Sequence, residues 1–197
     1  VLFDDFTHPA QRAYESQRRL HRSVQSLALH EAGHALLASL EHVLDFVEID
    51  PPRGEGHCRT TIEKSRRMNR SEAITSIAIE LAGSAAELRA CGIVETDSAR
   101  DHRDVSELAR AFANCDRERR ELINAGDCCV RDALSLHWSA LGRIANALLQ
   151  RRRLTAREVA ALVRDESDIR HRAVITYREP RMFQRVGFMQ PASRREV

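Results

Sequence analysis

The distribution of apolar positions divides the chain into a series of helices interrupted once by strands. From Ser23, the residues Val24, Leu27, His30 or His34, Leu37 and Leu40 recur at helical spacing, and the pattern fades at Glu41-His42. This predicts a largely buried helix. Val43, Asp45, Val47 and Ile49 then alternate up to Pro51-Pro52, which predicts a strand with a hard stop. A Gly-bearing turn, Arg53 to Gly56, leads to a second predicted strand over His57 to Ile62, and the pair reads as an antiparallel hairpin. Ser71-Glu72 opens a second helix, with Ser as cap and Glu favoured by the helix dipole. Its inward face is Ile74, Ile77, Ala78, Leu81, Ala85 and Leu88, and Gly92 stops it. The small residues Ala82 to Ala86 at its centre suit close packing near Gly33. A third helix turns Val105, Leu108, Ala109 and Phe112 inward. One long amphipathic segment runs through Val130, Leu134, His137, Leu141, Ile144 and Leu148, with His137 read as a packed histidine. A last helix over Thr155 to Val163 is opened by a capping box of Thr155 and Glu158. The expected fold class is mainly α with a small antiparallel β-hairpin, an α+β domain.

Composition sets the boundaries. A chain of 197 residues, 43% apolar, is long enough for one domain with a real core. The expected organisation is an N-terminal arm over residues 1–22, a body over 23–164 and a basic C-terminal tail over 165–197. The 31 basic residues include one lysine, Lys64, and the net charge is only +2. From Ile169 onward seven Arg face Glu179 and Glu196, so the preceding body is slightly acidic, and no nucleic-acid partner is expected. There is no G-x-x-x-x-G-K-[ST] run for a P-loop, and no uncharged stretch of membrane-spanning length. The first residues are too charged for a signal peptide, so a cytoplasmic location is expected. The five cysteines, Cys58, Cys91, Cys115, Cys128 and Cys129, lack C-x-x-C spacing and read as reduced thiols.

Chemistry concentrates at His30-Glu31-Ala32-Gly33-His34. On a helix, residues four apart are neighbours, so both imidazoles can face one metal ion, and two neutral nitrogens at that spacing suit Zn2+. Glu31 lies about 100° round the helix, where it can reach a bound water and serve as general base. Two histidines hold zinc poorly, so a third ligand is required. Leu37 and Leu40 stand where the Gly and His of the extended H-E-x-x-H-x-x-G-x-x-H pattern would be. The remaining options are Glu80 or Glu87 on the second helix, and Asp101 or Asp104 at the start of the third. Asp101 lies roughly 30° and Asp104 roughly 90° from that helix's inward centre. An N-cap role is the alternative for Asp101. The residues alone leave Asp101 and Glu87 evenly matched. The second strand, at Gly56, His57, Cys58, Arg59 and Thr60, offers an edge to which an extended peptide can add by main-chain hydrogen bonds. His57 and His102 are candidates for stabilising an oxyanion.

His30-Glu31-Ala32-Gly33-His34-Ala35-Leu36, with Leu81-Ala82-Gly83-Ser84-Ala85-Ala86-Glu87 and Thr96-Asp97-Ser98-Ala99-Arg100-Asp101, resembles the peptidase domain of the FtsH-type ATP-dependent zinc proteases. That family's pattern is H-E-A-G-H-A-[LV], then G-G-R-A-A-E-E, then T-G-A-x-N-D. The resemblance spans roughly residues 24–164. It implies a helical protease domain of the zincin type in which Asp101 completes the zinc site with His30 and His34. It also implies an endopeptidase that acts on unfolded or extended peptide segments, with oligomerisation possible. Ser84 stands where the family has Arg, Leu88 where it has a second Glu, and Asp97-Ser98 where it has Gly-Ala. The family's ATPase module and membrane anchor are not in this sequence, so folded substrates would require a separate ATPase or another protein partner. The alternative is a protease-like adaptor that keeps a structural zinc and binds a partner through its surface or tail.

Overall fold

The computed structural model describes residues 9–62, 68–94, 96 and 98–164, with side-chain surroundings from residue 23 onward. The expected tail over 165–197, and the first eight residues of the expected arm, lie outside the described residues.

The first helix, α1 (Pro9–Leu40), is the axis of the domain. Every residue from Ser26 to Ser39 is buried, so this stretch is packed on all sides. Its neighbours are α2 (Arg70–Cys91), α5 (Trp138–Arg151), α6 (Ala156–Arg164) and the strands β1 (Leu44–Asp50) and β2 (Glu55–Thr60). Encirclement also places three titratable side chains, His30, Glu31 and His34, inside the molecule. Burial of such groups is costly unless each finds a partner or a ligand.

The contact between α1 and α2 depends on Gly33. A Cβ there would lie 2.4 Å from the Ala82 carbonyl oxygen and 3.0 Å from Ala86 Cβ, so the missing side chain lets the two helices touch. This is the close packing expected of the small-residue centre of α2. That helix starts slightly earlier than its sequence suggested. Asn69, not Ser71, is the cap: its side chain accepts the Glu72 N–H at 3.0 Å, and the Glu72 carboxylate accepts the Asn69 N–H at 2.8 Å. Gly92, at φ 75°, ends the helix as expected. The inward face differs by one position, since Leu88 is 54% exposed and the neighbouring Glu87 is fully buried.

The expected hairpin is two strands of a three-stranded antiparallel sheet, ordered β2-β1-β3, with β3 (Arg153–Thr155) added from far along the chain. Val47 pairs with Cys58 on one side and with Leu154 on the other. Three residues of strand, two of them Arg and Thr, give almost no alternation to read. Leu44, Val47, Ile49 and Leu154 are buried in the core beneath the sheet. β2 is an edge strand. The capping box of Thr155 and Glu158 is present, with Thr155 serving both as the last residue of β3 and as the start of α6.

The helix α3 (Ala99–Ala111) packs Val105 and Ala109 into a second, smaller core with Ile77 and Leu122. The long segment through residues 130–148 is two helices, α4 (Asp116–Leu136) and α5. His137 is the break between them, at φ −117° and ψ 26°, and is half-buried rather than packed in a stripe. The apolar spacing stays continuous across the break, which conceals it in the sequence. No helix among the described residues is long and apolar enough to cross a membrane.

Candidate metal centre

Three elements meet at the middle of α1. His30 and His34 project from it one turn apart, α2 crosses at Gly83, and the first turn of α3 supplies Asp101. His30 Nε2 lies 3.0 Å and His34 Nε2 3.5 Å from Asp101 Oδ2. Among the described residues this is the one group of three or more such donors close enough to hold a metal ion, with ligand atoms within 4.8 Å of one another. Asp101 is within the helix, three residues after the N-cap position Ser98, so it is not the cap.

Each imidazole is held from behind. His34 Nδ1 is 2.6 Å from the Ile79 carbonyl oxygen, which can only accept, so Nδ1 carries the proton. His30 Nδ1 donates in the same way to Glu87 Oε2 at 3.2 Å. Glu87 is in turn fixed through its other oxygen, which accepts from Ser26 Oγ at 2.5 Å and from the Thr96 N–H at 2.9 Å. Both histidines therefore turn Nε2 toward Asp101. Backing of this kind sets ring orientation and raises ligand basicity in metal sites.

A divalent ion fits these residues. Two ligands of a tetrahedral zinc, each about 2.0–2.1 Å from the metal, are about 3.3 Å apart, and the 3.0 and 3.5 Å separations bracket that figure. The space is kept clear by Gly83, where a Cβ would lie 2.4 Å from His34 Nε2 and 2.6 Å from His30 Nε2. Two imidazole nitrogens with one carboxylate oxygen are an established zinc donor set, and a fourth position is left for water.

Glu31 completes the centre. It is 5% exposed, and its Oε2 is buried with no hydrogen-bond partner among the described residues. Desolvation by burial pushes its carboxyl above the usual range, opposed in part by the charges of His34 and His30. For His30, burial disfavours the charge, but the hydrogen bonds to Asp101 and Glu87 and the nearby carboxylates outweigh it and lift the imidazole to about 9 in the metal-free protein. His34 is shifted upward on the same balance, burial against Asp101 and Glu31. For Asp101, burial acts upward but is outweighed by the hydrogen bonds from His30 and His34, which hold it well below the usual carboxylate range.

A cleft of about 350 Å³ opens beside the centre. Glu31, His34 and Asp101 line it together with all of Gly56, His57, Cys58, Arg59 and Thr60 from β2. The five strand residues divide by the pleat. Gly56 lies directly against Glu31, since a Cβ there would fall 2.3 Å from Glu31 Oε1. Cys58 points the same way, and its thiol is pushed well up by burial and then by the charges of Glu31 and Glu80. His57 and Arg59 turn to the exposed side, where the His57 ring meets Phe46 at 5.9 Å between centroids and Arg59 pairs with Asp45 at 3.5 Å. His102 is exposed on α3 and does not line the cleft. Asp104 and Glu80 line it without joining the His-His-Asp cluster. The roles of Ile79 and Gly83 were not foreseen: a carbonyl acceptor leaves no trace in sequence, and Gly83 read only as a packing residue.

The fold and this cluster define a helical α+β domain with a His-His-Asp centre of metal-binding type, set on an H-E-x-x-H helix. The chain is similar to a curated protein, the ATP-dependent zinc metalloprotease FtsH 1 of Symbiobacterium thermophilum, at 30% identity over 167 residues. The match covers 69% of this chain and 28% of that protein, so the chain spans less than a third of its relative's length. No family model matches the chain. The relationship is thus distant and protease-like, and it agrees with a centre whose donors suit zinc.

Proposed function

We propose that the chain is a zinc-dependent endopeptidase acting on unfolded or extended peptide segments. The observation that supports this best is Glu31 Oε2, a buried carboxylate oxygen without a partner among the described residues, next to two back-anchored histidines and Asp101. A buried acid left in that state is a ligand-facing group, because an unmet acceptor otherwise costs about 1–3 kcal/mol. A zinc ion held by His30, His34 and Asp101 would supply Lewis acidity, lowering the pKa of a bound water to about 7 and polarising a carbonyl. Glu31 accepts the proton of the attacking water and later delivers it to the leaving amine. Its upward shift brings it nearer neutrality, as both halves of that transfer require. Ile79 and Glu87 hold the imidazoles so that Nε2, and not Nδ1, faces the reacting atoms. The free edge of β2 binds an extended peptide through main-chain hydrogen bonds, and Gly56 lets that strand lie against Glu31. Folded substrates would be delivered by a separate ATPase or other partner.

The test compares hydrolysis of an unfolded casein-like substrate by the zinc-loaded protein and by Glu31→Gln. Activity in the first that is lost in the second is expected. Stoichiometric zinc with no hydrolysis by either, alone or with candidate ATPase partners, would instead mark a protease-like adaptor with a structural metal.

A further inference from the structure

Most of the charges lining the cleft beside the metal centre are already engaged. Asp101 holds both imidazoles, Arg59 pairs with Asp45, and Glu80 and Asp104 each have an interaction of their own. Arg100 is the exception among the cations. It lines the cleft, is exposed, and has neither a hydrogen bond nor an ion pair among the described residues. The fold gives no reason for a cation there. Arg100 stands in the first turn of α3, where the positive end of the helix dipole disfavours it, and the small core that holds this helix takes Val105 and Ala109 instead. The T-G-A-x-N-D pattern has Asn at this position. A cation and a helix N-terminus are of like sign, so together they attract an anion. A guanidinium that bonds to nothing within the protein matches a carboxylate, which it can hold by two parallel N–H···O bonds. Glu31 Oε2, unpartnered among the described residues and belonging to a side chain 5% exposed on the same cleft, independently indicates that this space receives a ligand.

We propose that Arg100 binds a carboxylate of the peptide in the cleft, supplied by an Asp or Glu side chain or by the C-terminus, and so makes the protein selective for peptides that carry one there. This deepens the peptidase reading and rests on it for the nature of the ligand. Arg100 is not among the three metal donors, so it decides which peptide binds and leaves the zinc in place. A basic side chain at the same point meets like charge and is penalised.

The experiment measures binding separately from catalysis. Zinc-loaded Glu31→Gln is titrated, by fluorescence anisotropy, with N-terminally labelled, C-terminally amidated decapeptides that differ only in a central Glu, Gln or Lys, and with the Gln peptide as its free acid. At least one of the carboxylate peptides, central Glu or free acid, is expected to bind about threefold more tightly than the amidated Gln peptide, as for one exposed ion pair, with the Lys peptide weakest. Which of the two gains identifies the source of the carboxylate. Adding Arg100→Gln should abolish the gain while keeping Gln-peptide binding and zinc stoichiometry, and adding Arg100→Glu should make the Lys peptide the tightest. No gain from either carboxylate, or a gain that survives Arg100→Gln, would overturn the assignment. Hydrolysis by the unsubstituted protein without either preference sinks the carboxylate site and leaves the peptidase standing. Binding that depends on Arg100, without hydrolysis, does the reverse.

Discussion

Glu87→Gln isolates the contribution of the residue behind His30. The carboxylate divides its work between two oxygens: Oε1 accepts from Ser26 Oγ and the Thr96 N–H, and Oε2 faces His30 Nδ1. Glutamine can place its carbonyl at Oε1 and keep both of those bonds, which puts its NH2 opposite Nδ1. Two donors then face each other unless the imidazole changes tautomer. The tautomer that relieves the clash moves the proton to Nε2, where it meets Asp101 Oδ2 at 3.0 Å. Where the ring is neutral, above about pH 9, the metal-free fold therefore loses little, while the nitrogen required as a ligand is capped by a proton.

Loss of such a backing residue costs about 10–100-fold in metal affinity, equivalent to about 1.4–2.8 kcal/mol. The assay is a competition titration of zinc against a chromogenic chelator, run beside chemical denaturation of the metal-free protein. The expected outcome is weaker zinc binding and, above about pH 9 where the metal-free His30 ring is neutral, an unfolding midpoint close to that of the parent and a ring 15N spectrum placing the single His30 proton on Nε2. Glu87→Ala is the less informative change, because it strands three donors at a fully buried position and should cost about 3–5 kcal/mol of fold stability. Zinc affinity of Glu87→Gln within about twofold of the parent, with the single proton of the neutral His30 ring still on Nδ1 above about pH 9, would refute the reasoning.

Three further outcomes follow from the same geometry. Because His30 is lifted to about 9 in the metal-free protein, zinc must displace a proton from it throughout the neutral range. Affinity should rise by about tenfold per pH unit for each proton displaced and level off near pH 9, and calorimetry in buffers of different ionisation enthalpy should show proton release at pH 7; a flat profile from pH 6.5 to 8.5 would contradict this. Gly83→Ala gains about 1 kcal/mol of helix propensity but sets a Cβ 2.4 Å from His34 Nε2, so the expected product is a folded protein without stoichiometric zinc by metal analysis. Gly56→Ala sets its Cβ against Glu31 instead, and should lower hydrolysis at least about tenfold while leaving zinc stoichiometry intact, because β2 supplies none of the three donors.

What could be read in advance divides along physical lines. The pentapeptide His30 to His34 is a local arrangement, and helical periodicity alone puts both imidazoles on one side. The α1–α2 contact was also legible, since Gly33 and the run Ala82 to Ala86 are small where close approach requires it. The approach of Asp101 is a tertiary fact. Helical angle favoured it over Asp104, yet only the resemblance separated it from Glu87, and in the structure both carboxylates touch His30, one on each nitrogen. The strand β3 and the break at His137 escaped for opposite reasons. The strand is too short to show alternation, and the break interrupts the backbone without interrupting the apolar spacing.

The substitutions at positions 84 and 88 gain their meaning from the same helix. Glu87 and Leu88 are adjacent, but about 100° of rotation separates them, and it carries one to full burial behind His30 and the other to 54% exposure. A carboxylate lost from position 88 is therefore lost from the surface, and the backing of the histidines rests on Glu87 and the Ile79 carbonyl. Position 84 differs, because the Ser84 hydroxyl is buried and has no partner among the described residues. It follows Gly83, the residue that keeps the space between the imidazoles clear, so this departure touches the interior of the domain. None of the three donor residues or their two anchors is altered by either change. On the proposed reading, holding a metal and turning over a peptide are thus separable here: the first would need five fixed groups on α1, α2 and α3, and the second would also need β2 to present a peptide to Glu31.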